Sequence, residues 1–373
     1  AFRIGDSATN AITPFMFYIY HIQKIKEKYP DSLVILCLNG YFLERGQVSL
    51  LSKESKTKIA LQYQVDLVIE LPVVYGTQAG DKFAYASTFL LDAIGAQTII
   101  FGSESTDIIR LECIAKKQLD PQFTFVEKKN KSYPQNLNAS LAEMNIILPN
   151  DLLGISYIKA ILEHHFTLSY ECIQRTSGFH DLKSTNSIIS ASNIREKIKN
   201  CEDICSYLPT CAYYELKKVD EDRLFEFLKF RILTDSHLEE YLDVTEGLEN
   251  KLRKEVVAAT DYYDLVRRCK SSRYTYNRLN RMLCHIFLGI RKSDANIPIS
   301  YIHILGFSKR GQEYLKKHRK EFKLPTCIDK TSKLYSFELI ASQLYDMLTS
   351  DKTYAFERKN QPITIGSNES IQK

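Results

Sequence analysis

The pattern of apolar and polar positions changes rhythm near residue 200. Before that point, short apolar runs rich in β-branched residues alternate with segments of helical spacing. Residues 32–37 (SLVILC), 65–71 (VDLVIEL) and 97–101 (QTIIF) read as buried strands, closed by the breakers Gly40, Pro72 and Gly102. Between them, 53–64 and 83–94 carry apolar side chains at three- and four-residue intervals, and Gly95 caps the second helix. Residues 152–164 add a helix and 167–173 a strand. Strands and helices taking turns predict an α/β fold, a parallel sheet with helices on both faces. Ligands of such sheets lie beyond the carboxyl ends of the strands, here at 39–46, 72–80 and 102–107. From about residue 201 long amphipathic segments take over, at 220–233, 238–242, 246–259, 262–268, 274–289 and 310–322. The expected division is an α/β domain over 1–200 and a mainly α-helical domain over 201–373.

Length agrees with two domains, since 373 residues exceed one ordinary core. A chain that is 44% hydrophobic and 25% charged is globular rather than disordered. Nothing approaches the roughly 20 apolar residues of a membrane span, so no membrane partner is expected. Ala1 to Tyr20 carries Arg3 and Asp6 ahead of its apolar part and no small-residue cleavage site after it, unlike a signal peptide. Nine scattered cysteines without a C-x-x-C pair are read as buried thiols in a reducing cytoplasm, and no metal site is expected from them. The net charge of +5 permits an anionic partner without requiring one.

Several residues have chemistry to offer. Gly102, in Phe101-Gly102-Ser103-Glu104, stands where a strand ends; it is either a turn glycine or a place where backbone approaches a nucleotide. Ser190, Ser192 and Arg195 span the start of a helix, where helix-start amides, a hydroxyl and a guanidinium would hold a triphosphate. A plain N-cap explains the serines equally well. Asn150 precedes a helix and Arg175 follows a strand, positions that capping and solvation also explain. Arg45 and Lys53 are cations near any ligand bound at 39–46. In the second half, Arg273, Arg278 and Arg281 interleave with tyrosines, and the last two share a helix face. Cations that grip phosphates beside rings that stack on bases suit an RNA surface; a solvated face with core tyrosines is the alternative. Lys309-Arg310, Lys316-Lys317 and Arg319-Lys320 form a second basic helix, interrupted by Glu313 and Glu321.

Taken together, these segments resemble the bacterial tRNA(Met) cytidine acetate ligases, a branch of the nucleotidyltransferases. The matching landmarks are Arg45-Gly46 with Leu51-Ser52-Lys53, Asp66 to Pro72, Phe101 to Glu104 and Pro149 to Gly154. Arg175 with His180-Asp181, the run from Ser190 to Arg195, Arg273 to Gly289 and Leu305-Gly306-Phe307 follow in the same order. The resemblance covers about residues 20 to 330. It implies a Rossmann-like nucleotidyltransferase fold, ATP as co-substrate with Mg2+, acetate activated as acetyl-adenylate, and transfer to N4 of the wobble cytidine of elongator tRNA(Met). By the same resemblance Gly102, Asn150 and Arg175 match ATP contacts, with Ser192, Arg195 and His21 as further ATP-side candidates. Arg273, Arg278 and Arg281 are the tRNA-side candidates.

The opening departs from the family. Its Asn-Pro-Phe-His-Asn-Gly-His stretch is matched here only by Pro14-Phe15, with Tyr20-His21 echoing the short motif that follows, so the catalytic residues are left unassigned. Loss of such charge-stabilising donors typically costs about 10²–10³ in rate. Two accounts compete: a degenerate member that binds tRNA with little chemistry, or a reading-frame error, since Ile-Thr-Pro-Phe-Met is encodable by DNA that reads Asn-Pro-Phe-His in another frame. The intact later landmarks favour the frame error, and resequencing the start of the gene decides it. A small-molecule adenylyltransferase is a third reading, disfavoured because a small substrate needs no Arg/Tyr stripe.

Overall fold

The computed structural model describes residues 2–5, 15–126, 128, 130, 131, 133–141, 148–174 and 191–365. Its strands are β1 (Phe2–Gly5), β2 (Val34–Asn39), β3 (Leu67–Leu71), β4 (Thr98–Ser103), β5 (Ser169–Gln174), β6 (Ile304–Phe307) and β7 (Ile363–Thr364). They form one sheet in the order β5-β4-β1-β2-β3-β6-β7. The helices before residue 200 are α1 (Phe15–Lys28), α2 (Lys53–Gln62), α3 (Val73–Gly76), α4 (Gly80–Ala93), α5 (Ile108–Leu119), α6 (Tyr133–Ser140), α7 (Pro149–Glu163) and α8 (Ala191–Lys199). Those after it are α9 (Thr210–Glu215), α10 (Glu221–Thr234), α11 (Leu248–Ala258), α12 (Tyr262–Cys269), α13 (Tyr276–Leu288), α14 (Lys309–His318), α15 (Lys333–Thr349) and α16 (Tyr354–Lys359).

Alternation along the strands builds two apolar layers, because successive side chains of a strand point to opposite faces. Ile35 and Cys37 of β2, Leu67 and Ile69 of β3, and Ile99 and Phe101 of β4 join α4 and α7 in one cluster. Val34, Leu36 and Leu38, with Val68 and Ile100, join α1 and α2 on the opposite face. Both faces are therefore covered, which is why these strands read as continuous apolar runs. Gly154 sets the spacing of α7 on β4: a Cβ there would lie 2.4 Å from a ring carbon of Phe101.

Five neighbouring strands, β5-β4-β1-β2-β3, run parallel as expected. The sheet then departs from the expectation. β6 lies antiparallel on β3, with Leu67 opposite Phe307, and β7 runs parallel to β6. Two short strands from the helical half thus complete the sheet of the first half. The first apolar cluster also continues through Leu228, Leu252, Leu265, Leu283 and Tyr345 of the later helices.

The cysteine expectation holds only in part. All nine thiols are free, but Cys113, Cys201, Cys205 and Cys327 are exposed and only Cys37, Cys269 and Cys284 are buried. Among the described residues, no helix is long and apolar enough to cross a membrane.

Candidate functional site

The parallel strands β1, β2, β4 and β5 deliver their carboxyl ends to one edge. At that edge β4 ends in Gly102 and Ser103, both buried, with Gly102 paired to Ile173 of β5. The next residue, Glu104, reaches across to the start of α7. Its carboxylate accepts from the backbone N–H of Asn150 and of Asp151, each at 3.1 Å, and from the Asn150 side-chain amide. Leu148, the residue before the helix, offers no side-chain cap. Glu104 therefore supplies the missing acceptor at an end where a negative charge is favoured.

Asp151 returns the arrangement. Its carboxylate accepts from the Ser103 hydroxyl and from the backbone N–H of Glu104 at 3.0 Å. Each carboxylate thus fixes the other segment's backbone, and Gly102 and Asn150 are held within one small cluster. Asn150 is only 2% exposed. Because Glu104 fills the first turn of α7, that turn is not free to receive a phosphate.

Gln174, the last residue of β5, donates from its side chain to the Glu104 carbonyl at 3.1 Å. Arg175 follows it directly, but lies outside the described residues, as do His180, Asp181 and Ser190 and the opening stretch 6–14. Ser192 lies in the first turn of α8, inside the helix rather than at its cap.

Arg195, also on α8, donates to the carbonyl of Val48 at 2.7 Å. Burial pushes its guanidinium down to about 10, and its Nε has no acceptor among the described residues. Val48 closes the loop that follows β2. Since β1 separates β2 from β4, the two strand ends stand two strand spacings apart, roughly 10 Å. His21 is buried on α1, the helix after β1.

The loop after β2 is tied down at several points. Lys56 donates to the carbonyls of Asn39 and Gly40, Phe42 bridges Val48, and Gly46 turns with a φ of +72° against α13. A Cβ on Gly46 would meet the Asn280 carbonyl at 2.3 Å. Arg45, at this turn, is half-buried.

Lys53 is not the ligand-side cation that the sequence suggested. Its ammonium is fully buried and pairs with Glu70, with Glu338 at 3.0 Å and with Glu357 at 2.8 Å. Its ammonium also lies 4.8 Å from the centre of the Tyr41 ring. Tyr41 donates to Glu357 and the Val73 N–H to Glu338. The His303 ring lies 2.6 Å from Glu70, and burial lowers its pKa to about 4. Glu70, Glu338 and Glu357 are the three acidic groups with metal-like spacing among the described residues, and the ammonium already sits among them. Desolvation makes an unpaired buried charge costly, so this cluster is a tie between β3, α2, α15 and α16. Glu70 gave the available signal: a carboxylate inside an apolar strand needs a buried partner.

The arginine stripe is spent largely within the chain. Arg273 pairs with Glu246, and Arg278 donates to Thr245 at 2.8 Å and stacks on Tyr274. Arg281 lies between Glu44 at 3.4 Å and Asp243 at 3.8 Å, joining α13 to the loop after β2. Tyr276 remains exposed beside them.

Comparison with known proteins points to one family. The HIGH Nucleotidyl Transferase family matches residues 18–361. The tRNA(Met) cytidine acetate ligase of Caldicellulosiruptor saccharolyticus is 31% identical over 94% of this chain and 96% of its own. That of Clostridium novyi is 32% identical over 93% and 96%. Among solved structures, apo TmcAL of Thermotoga maritima superposes with a TM-score of 0.86 at 23% identity, covering 98% of this chain and 99% of that one. The same protein bound with alpha-thio ATP gives 0.81 at the same identity and coverage. These likenesses establish the fold, and the sequence relatives establish the lineage: the chain belongs to the HIGH Nucleotidyl Transferase family, among its tRNA(Met) cytidine acetate ligases.

Proposed function

We propose that the chain binds ATP at the carboxyl edge of the sheet, activates acetate as acetyl-adenylate and acetylates N4 of the wobble cytidine of elongator tRNA(Met). The observation that carries this reading is the clamp of Glu104 and Asp151, which holds Gly102 and Asn150 together at the carboxyl edge. In this reading Gly102 and Asn150 take the nucleoside side of ATP. Arg175, Ser192 and Arg195 take the phosphates, and His21 stands behind them on α1. An acetate oxygen attacks the α-phosphorus, and the bond to the bridging oxygen breaks to release pyrophosphate. The cytidine N4 then attacks the acetyl carbonyl, loses a proton and releases AMP. Neither step needs a protein nucleophile; both need cations and donors where phosphate charge grows.

Mg2+ would be held chiefly by the phosphates, since the three-glutamate group is taken by Lys53. It would supply charge neutralisation. Residues 1–200 form the nucleotide-binding part and 201–373 the tRNA-binding part, in which Arg273, Arg278 and Arg281 would exchange their partners Glu246, Thr245, Glu44 and Asp243 for tRNA phosphates around the exposed Tyr276. The setting is the cytoplasm, where ATP, acetate and tRNA are found together.

One observation favours a second reading: the histidines of the family's opening are missing from residues 10–16. A chain so altered would bind tRNA and acetylate it poorly. Radiolabelled acetate with ATP and bulk tRNA separates the two. Label on tRNA supports the ligase, binding without label supports the impaired binder, and the absence of both label and binding leaves a small-molecule adenylyltransferase.

A further inference from the structure

We infer that α14 and the cleft beside it form a second RNA-binding surface, on the opposite edge of the sheet from the nucleotide site, that grips the body of the tRNA. This inference rests on the proposed tRNA substrate. Because β6 runs antiparallel on β3, it ends beside Leu67 and feeds α14 along the amino edge of the parallel strands. Arg310 there donates to the Asp31 carbonyl, and Tyr314 to that of Ile94. The two edges are separated by the length of a strand, about 20 Å for six residues.

Charge singles out this helix and the turn after it. Residues 309–323 hold seven cations, Lys309, Arg310, Lys316, Lys317, Arg319, Lys320 and Lys323, against Glu313 and Glu321. That excess of five equals the formal net charge of the whole chain, so the other 358 residues balance to zero. The cations are exposed. Arg310 and Lys323 lie near Asp66 and Asp92, whereas Lys309, Lys316, Lys317, Arg319 and Lys320 pair with no carboxylate among the described residues. The arginine stripe at and before α13 differs on this point, since Arg273 and Arg281 are paired inside the chain.

Beside these cations opens a cleft of about 530 Å³ lined by Lys28, Tyr29, Asp31, Tyr314 and His318, among others. That volume is in the range of ordinary ligand sites. Its rings are fixed in advance. The Tyr29 hydroxyl donates to Glu171, the Tyr314 hydroxyl to a backbone carbonyl, and His318 lies against Tyr314 with ring centres 4.9 Å apart. Cations spaced along a helix neutralise phosphates, and held aromatic rings stack on unpaired bases. Together these features fit a folded RNA with a charged backbone and at least one splayed base. A contact this far from the carboxyl edge must fall on a part of the tRNA remote from the reacting base.

The test uses the full chain and the exposed triple substitution Lys316→Ala, Lys317→Ala and Lys320→Ala. Binding of a full-length elongator tRNA(Met) transcript and of its isolated anticodon stem–loop is measured across a salt series, alongside acetate-dependent exchange of pyrophosphate into ATP. The inference expects at least about tenfold weaker binding of the full-length transcript, with the salt slope reduced by about two to three. Stem–loop binding and pyrophosphate exchange stay as in the parent. Equal affinity of parent and variant for the full-length transcript, or an equal loss on the stem–loop, overturns the inference and leaves the proposed function standing. A parent chain that binds no tRNA at any salt overturns both.

Discussion

The carboxylates gathered around Lys53 and the pair formed by Glu104 and Asp151 both lie near the carboxyl ends of strands, yet they are satisfied in different ways. Glu70, Glu338 and Glu357 are dry and answered by one ammonium, one tyrosine hydroxyl, one backbone amide and one imidazole. They join residues nearly 300 positions apart. Glu104 and Asp151 are answered mainly by backbone amides of two adjacent segments, at the edge where a ligand would enter. A buried ion cluster fixes which elements pack together, and its cost is strongly asymmetric when one partner is removed. A carboxylate–amide clamp fixes where backbone lies and leaves the neighbouring surface open for chemistry. The first is a tie between chain halves; the second holds backbone in place at the edge proposed for ATP.

The difference gives a ranked set of outcomes. Lys53→Met should have the largest effect, because it strands three buried carboxylates. Urea unfolding is expected to show a loss of about 3–5 kcal/mol, and adding Glu338→Gln should restore part of it. A loss below about 1 kcal/mol would mean the cluster is not dry.

Proton linkage comes next. Burial, then the neighbouring Glu70, holds Glu338 up to about 7, and burial also raises Glu70. A carboxyl that binds its proton more tightly when folded contributes stability that is complete below its unfolded value and lost as pH rises through the folded one. Stability should therefore fall on the order of 2–3 kcal/mol between about pH 4.5 and 8 through this group. Glu338→Gln should flatten that fall, and an unchanged slope would remove Glu338 as its cause.

Asp151→Ala is expected to be milder, about 1–3 kcal/mol, the cost of leaving buried donors without an acceptor. Asp151→Asn, which keeps an acceptor oxygen, should recover most of it. Equal losses in the two variants would show that charge rather than the hydrogen bonds holds the clamp.

How much of this was legible in the sequence follows from separation along the chain. The strands β2, β3 and β4 were readable because both faces are buried and their residues are mostly apolar, with Glu70 the charged exception in β3. β1 was not, since its four residues, Phe2–Gly5, are too few for an alternating pattern to stand out. β6 and β7 are short and lie in helical surroundings, so only the landmark Leu305-Gly306-Phe307 marked one of them. Gly102 and Asn150 came from the family resemblance. The clamp between Glu104 and Asp151 spans 47 residues and becomes visible only once α7 lies on β4. Lys53 was misread for the same reason: two of its three partners come from α15 and α16, and nothing near it in sequence announces them.

The central claim is that the clamped edge takes ATP, and the most direct measurement is the thermal stability of the purified chain with and without it. Ligand at about 100 times its Kd adds about 2.7 kcal/mol to the native state, enough to raise the Tm by a few degrees. The account predicts that rise for the parent, its retention in the triple variant of Lys316, Lys317 and Lys320, and its near loss in Asn150→Ala. No rise in the parent, or an equal rise in Asn150→Ala, would contradict it.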